Sequence, residues 1–404
     1  MSVWSLSPSV HSVNTINPVR ESATSIVLPL DFHKPTYSLS IGDPSKYSDF
    51  EVYPFIVDSV AEKLKANKGN GYTDSQGLYE ARECLAHYYS YENIKLNPED
   101  VIIDIGGVGA IHTVLQVFLN PGDNILIPSP GFPLYQTIAK NLNADALMYS
   151  LKPDQHWEVD FDSLNRQVNS NTKLLVIVNP SNPCGSVFTK EHLLEILAWA
   201  ESHRIPILSD EVYHKMTFGK PYFPLGSLTT SVPVFTIGAL SKMFLVPGWR
   251  CGWIIIYDKF NYCIEFRSAL TKIKNMLLHP APFIMQAIPE IFSKLPQNYF
   301  EELMEKVRIR AEIVKKKVEN IEGLFLSESE GSLYTMISVD FNVVKLSDSV
   351  EFAHKFAQEE GVAVLPAEAF LSHSGFRVVL CNPVTVLEEC MDRLKAFVDR
   401  YKTS

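Results

Sequence analysis

The stretch "KLLVIVNP" at residues 173–180 runs apolar from Leu174 to Val178 and then breaks at Asn179-Pro180. After the loop "NPSNPCG" (179–185) comes a helical stretch, "KEHLLEILAWAESHR" (190–204), and then a second apolar run, "IPILSDE" (205–211). A strand that is apolar along nearly its whole length is buried on both faces, as in a parallel sheet. Strand, helix and strand in this order give a wound α/β unit.

Outward from it the alternation continues. "DVIIDIG" (100–106), "NILIPSP" (124–130) and "ALMYSL" (146–151) precede it, and "VPVFTIGAL" (232–240) and "CGWIIIYD" (251–258) follow. These seven runs predict a mainly parallel, wound, seven-stranded sheet within a large domain at 49–295. The texture changes near 296. "NYFEELMEKVRIRAEIVKKKVENIEG" (298–323) reads as one amphipathic helix ending at Gly323. "SLYTMISVDF" (332–341) and "FRVVL" (376–380) read as strands, each beside a helix, so 296–404 is expected to be a smaller α+β domain. Residues 1–48, rich in Ser and Pro with one strand-like run in "YSLSIGDP", are expected to form an arm packing with it.

Bulk properties narrow the function classes. A chain of 404 residues is long for one core. With 46% hydrophobic and 20% charged residues it has an ordinary globular composition. A formal net charge of −10 speaks against nucleic-acid or anionic-membrane partners, which need a basic face. "VKKK" (314–317) reads as a solvated helix face. The six cysteines at 84, 184, 251, 263, 381 and 390 have neither CxxC pairs nor short regular spacing, which fits reduced intracellular thiols and no metal site. The opening "MSVWSLSPSVHSVNTINPVRES" lacks a signal-peptide core and holds a single arginine, and no run reaches a membrane span. A cytoplasmic location is expected, ahead of a mitochondrial one.

In open α/β sheets ligands bind beyond the carboxyl ends of the strands. Residues just past those ends are Gly106, Gly107 and Val108; Phe132; Asn179 and Asn182; Asp210 and Tyr213; Ser241 and Lys242. A pyridoxal 5′-phosphate site accounts for this mixture. Lys242 supplies an amine for a Schiff base and for proton transfer, since apolar company favours the neutral amine. Asp210 can face the ring nitrogen, whose protonation makes the ring an electron sink. Asn182 and Tyr213 can donate to the phenolic oxygen, and Phe132 can cover a ring face. The phosphate suits the helix start in "IGGVGAIHTVL" (105–115) together with Ser241 and the fork of Arg250. Each residue alone has a plainer reading: a surface lysine, a capping aspartate, a packed ring, a structural arginine. A nicotinamide fingerprint fits poorly, because Gly107-x-Gly109-x-x ends on His112.

In order, "NPSNPCG", "SDEVY" (209–213) and "SKMFLVPGWRCG" (241–252) resemble the fold-type I, class I/II aminotransferases, most closely the tyrosine aminotransferase group. The likeness extends to "LSIGDP" (39–44), "NGYTDSQG" (70–77), "PGFPLY" (130–135) and "GFRVVL" (375–380), and so runs through nearly the whole chain. It implies pyridoxal phosphate covalent on Lys242, with Asp210 on the pyridinium, Tyr213 and Asn182 on the phenolate, and Arg250 on the phosphate. It implies Arg377 for the substrate α-carboxylate, with Asn182 and Gly42 beside it. It further implies a homodimer in which Tyr72 reaches the partner's phosphate. The substrates it suggests are tyrosine or phenylalanine as donor and 2-oxoglutarate as acceptor. Two positions depart from the pattern: Val108 stands where a Ser or Thr hydroxyl is usual, and Ala239 where many relatives carry Ser. Arg20 and Tyr334 are candidates for the side-chain pocket, with a surface role and a core role as alternatives. A carbon–sulfur lyase, a cyclopropane-carboxylate synthase, an alanine-type aminotransferase or a non-catalytic binding protein on the same scaffold would keep the same residues.

Overall fold

The computed structural model describes residues 4, 6–13 and 15–402. Its main sheet runs in the order Val101–Asp104, Gly252–Tyr257, Val234–Ala239, Ile207–Asp210, Thr172–Val178, Asn124–Ser129, Asp145–Lys152, Glu158–Val159. The five strands from Val234–Ala239 to Asp145–Lys152 pair in parallel. Gly252–Tyr257 is antiparallel to both of its neighbours. The fold class is therefore α/β with a large, mainly parallel sheet. The strand count is eight and not seven: Glu158–Val159 adds an antiparallel edge to Asp145–Lys152. Two residues are too short a run to show a periodicity.

Successive side chains of a strand enter opposite layers, as the pleat requires, and both layers are buried. Leu174, Val176 and Val178 join one apolar cluster, with Ile111, Val114 and Leu115 of the helix Gly106–Phe118. Leu175 and Ile177 join the other, with Leu193 and Ile196 of the helix Lys190–His203. That second helix starts where the Thr189 side chain accepts from the His192 backbone N–H and stops at Arg204, which is left-handed.

A second, four-stranded sheet is antiparallel throughout: Leu324–Leu326, Tyr334–Val339, Gly375–Val379, Leu365–Pro366. The long helix occupies Tyr299–Val318 and ends before Gly323. Of "YSLSIGDP" only Tyr37–Ser38 is strand, pairing in parallel with Val362–Ala363. The helix Pro18–Ser25 packs against 365–370. The second sheet thereby brings Arg377, and the N-terminal segment brings Arg20, to the edge where the parallel strands end. Among the described residues, no helix is long and apolar enough to cross a membrane.

Candidate active site

One cavity of about 770 Å³ lies beyond the carboxyl ends of the parallel strands. Gly42, Gly107, Val108, Phe132, Asn182, Asp210, Tyr213, Ser241, Lys242, Arg250 and Arg377 all line it, though they span more than 300 positions of the chain. Two expected residues do not. Gly106 stands one step behind the wall, and Tyr72 is 91% exposed, away from this chain's own cavity.

The floor is a buried carboxyl group. Asp210 ends its strand and accepts from Tyr135 Oη at 2.5 Å and from the Val212 backbone N–H at 3.3 Å. It caps no helix: α-helix resumes only at Leu225. Burial pushes its carboxyl up to about 6, against the pull of both donors. Lys242 follows Val234–Ala239, and its Nζ donates to the Gly42 carbonyl at 2.5 Å. A Cβ on Gly42 would lie 2.3 Å from Tyr334 Oη, so only glycine brings that carbonyl so close.

At one end of the cavity the helix Gly106–Phe118 begins with no side chain capping it, which leaves its first N–H groups free to bind an anion. Arg250 leans over this turn from a left-handed backbone (φ 51°), donating to Pro247 O at 2.8 Å and Ile105 O at 3.4 Å. Gly106, at φ +72°, makes the approach possible: a Cβ there would sit 2.5 Å from Arg250 Nη2. Val108 and Ala239 bring no hydroxyl to the cavity wall, as their residue types dictate.

At the other end Arg377 is buried between the rings of Tyr334 and Phe370, its guanidinium carbon 4.3 and 4.5 Å from their centroids. It donates to Asn182 Oδ1 at 3.0 Å and Ser40 O at 2.7 Å, while its Nε has no partner. Burial pulls the guanidinium below its ordinary value without discharging it. Tyr213 Oη donates to Tyr334 Oη at 3.1 Å, and burial raises the Tyr213 phenol well above its usual range. Phe132 stands edge-on to Tyr135. Asn179 turns away from the cavity and accepts from the Phe188 N–H at 3.0 Å, holding the loop.

Sequence reading did not find Tyr135, Asp43 or Lys46, which also line the cavity, nor choose between the roles open to Arg20 and Tyr334. The one signal for Tyr135 was its place three residues after Phe132. Charges on the wall do not balance. Lys242, Arg250 and Arg377 form no ion pair with a described carboxylate, and Asp210 is the only buried acid in the lining. A group bearing a phosphate and a basic ring nitrogen, joined by a substrate carboxylate, matches this donor set.

The model of the family "aminotransferase class I and II" matches residues 34–394. Tyrosine aminotransferase from Mus musculus is 36% identical over 401 residues, covering 98% of this chain and 88% of that protein. The Dictyostelium discoideum tyrosine aminotransferase is 34% identical over 408 residues, covering 99% and 97%. The crystal structure of tyrosine aminotransferase from Leishmania infantum superposes with a TM-score of 0.96 at 28% identity, over 100% of both chains.

Proposed function

The chain belongs to the class I and II aminotransferase family, and we propose that it moves the amino group of an aromatic L-amino acid, tyrosine or phenylalanine, to a 2-oxo acid such as 2-oxoglutarate, with pyridoxal 5′-phosphate bonded to Lys242. One observation carries this reading: a single cavity gathers Lys242, Arg250 and Arg377, none of them paired with a described carboxylate, around one buried acid, Asp210. When bound, the cofactor supplies an electron sink for the pair left as the substrate Cα proton departs.

The rest is work for the chain. Asp210, held by Tyr135 and Val212, keeps a proton on the ring nitrogen by charge. Asn182 and Tyr213 donate to the phenolic oxygen. The first N–H groups of Gly106–Phe118, with Ser241 and Arg250, take the phosphate. Phe132 is the residue available to a ring face. Arg377 grips the substrate α-carboxylate with its fork, and Asn182 fixes the angle of that fork. Lys242, steered by the Gly42 carbonyl and free once the substrate amine has taken its place on the cofactor, takes the proton from Cα and returns it to C4′ of the cofactor, across the intervening nitrogen.

The aromatic preference is supported by the tyrosine aminotransferases among the relatives. A homodimer belongs to the same reading. The exposure of Tyr72 suits a hydroxyl offered to a neighbouring phosphate, and Val108 and Ala239 leave room for such a donor. So do the division into an arm (1–48), a large domain (49–295) and a small domain (296–404), and a cytoplasmic location, which the six free cysteines support.

The purified protein, given L-tyrosine and 2-oxoglutarate, should yield the keto acid of tyrosine and glutamate in equal amounts. Release of ammonia with pyruvate from a β-substituted amino acid, without glutamate, would point to lyase chemistry and overturn the transfer.

A further inference from the structure

Beneath the turn that starts the helix Gly106–Phe118 lies a buried ion pair. Asp104 ends its strand at 1% exposure, and Lys274, in the last turn of the helix Ile264–Leu277, has its side chain wholly buried. Lys274 Nζ is 2.8 Å from Asp104 Oδ1 but off the line of a hydrogen bond, so the contact is one of charge. The same oxygen accepts from the Ile105 N–H at 2.7 Å, and Oδ2 accepts from Thr113 Oγ1 at 2.6 Å. A Cβ on Gly109 would lie 2.6 Å from Oδ1, so this carboxylate is pressed into the first turn of the helix.

A carboxylate there competes with any anion for the positive end of the same helix. Unpaired, it would repel a phosphate dianion bound one turn away. Two hydroxyls that could offset such repulsion are missing, at Val108 and Ala239. We propose that Lys274 is a positioning residue for the cofactor phosphate: it cancels the charge of Asp104 and ties the 104–108 turn to the helix Ile264–Leu277, so that the free N–H groups face a dianion without a buried rival. This rests on the reading of that turn as the phosphate site.

The test compares dissociation constants for pyridoxal 5′-phosphate and for pyridoxal, which lacks the phosphate, by equilibrium dialysis. The wild type should prefer the phosphorylated form strongly; no preference would sink the phosphate-site reading itself. In Lys274→Met that preference should fall roughly tenfold or more, the scale of a like-charge interaction at short, partly screened range. The double variant Asp104→Asn/Lys274→Met, with neither charge, should recover most of it. A folded Lys274→Met with wild-type preference, or a double variant as poor as the single, overturns the role of Lys274. Losing one partner of a buried pair is strongly destabilising; where Lys274→Met fails to fold, Asp104→Asn decides, since its amide can keep the bonds to Ile105 and Thr113 that hold the turn. With the ammonium left unbalanced the preference should rise, and an unchanged preference overturns the proposal.

Discussion

A carboxyl group cut off from water gives up its proton reluctantly, and Asp210 shows how far protein donors offset that. Tyr135 and Val212 both favour its charged form, yet burial wins and the group titrates near 6 where 3.8 is ordinary. The sign follows. A folded-state value above the unfolded one contributes stability that is fully present below about pH 4 and is lost as the pH rises through about 6. Two units correspond to roughly 3 kcal/mol. In the cofactor-free chain, the stability of wild type relative to Asp210→Asn should therefore fall by about that much between pH 4 and 7 in urea titrations. A difference that stays flat would show that the carboxyl is not desolvated. Bound cofactor, with a cation at its ring nitrogen, should remove most of the slope. At this scale the sequence was readable where a residue's type and its place after a strand coincide, as at Lys242, Asp210 and Asn182. It was silent on pairings across the chain. Tyr135 meets Asp210 across 75 positions, and Asp104 meets Lys274 across 170, with no local pattern to mark either.

Elements were readable to the extent that burial imposes a period. The strands Thr172–Val178 and Val234–Ala239 are buried on both faces and so read as unbroken apolar runs. Glu158–Val159 and Leu365–Pro366, two residues each, cannot carry a period, and their pairing is set by neighbours. The long helix stops at Val318 although its pattern continues toward Gly323, because Ile321 is buried in the turn that follows and Leu324 already begins the next strand. The turn before Gly106–Phe118 depends on one backbone conformation. Gly106→Ala would force a side chain into the left-handed region, at roughly 1–2 kcal/mol, and drive it against the Arg250 guanidinium. We expect this variant to fold, to lose roughly tenfold or more in affinity for pyridoxal 5′-phosphate, and to change little in affinity for pyridoxal. Equal loss for both would mean that the turn does not serve the phosphate.

For the whole molecule the question is whether one chain builds its site alone. Tyr72 is exposed here, so a role for it needs a second copy. When inactive Lys242→Ala subunits exchange with those of a severely impaired Tyr72 variant, each mixed dimer has one site with both residues intact. Activity should reappear well above that of either parent; exchange without rescue would confine each site to its own chain. Everything else depends on where the cofactor is held. The protein, loaded with pyridoxal 5′-phosphate and reduced with borohydride to fix the cofactor to the amine that bears it, should gain the mass of one pyridoxyl phosphate per chain. Digestion should place that mass on Lys242, and Lys242→Ala should gain none. A label on another lysine, or an unmodified chain that nonetheless transfers amino groups, would contradict the assignment.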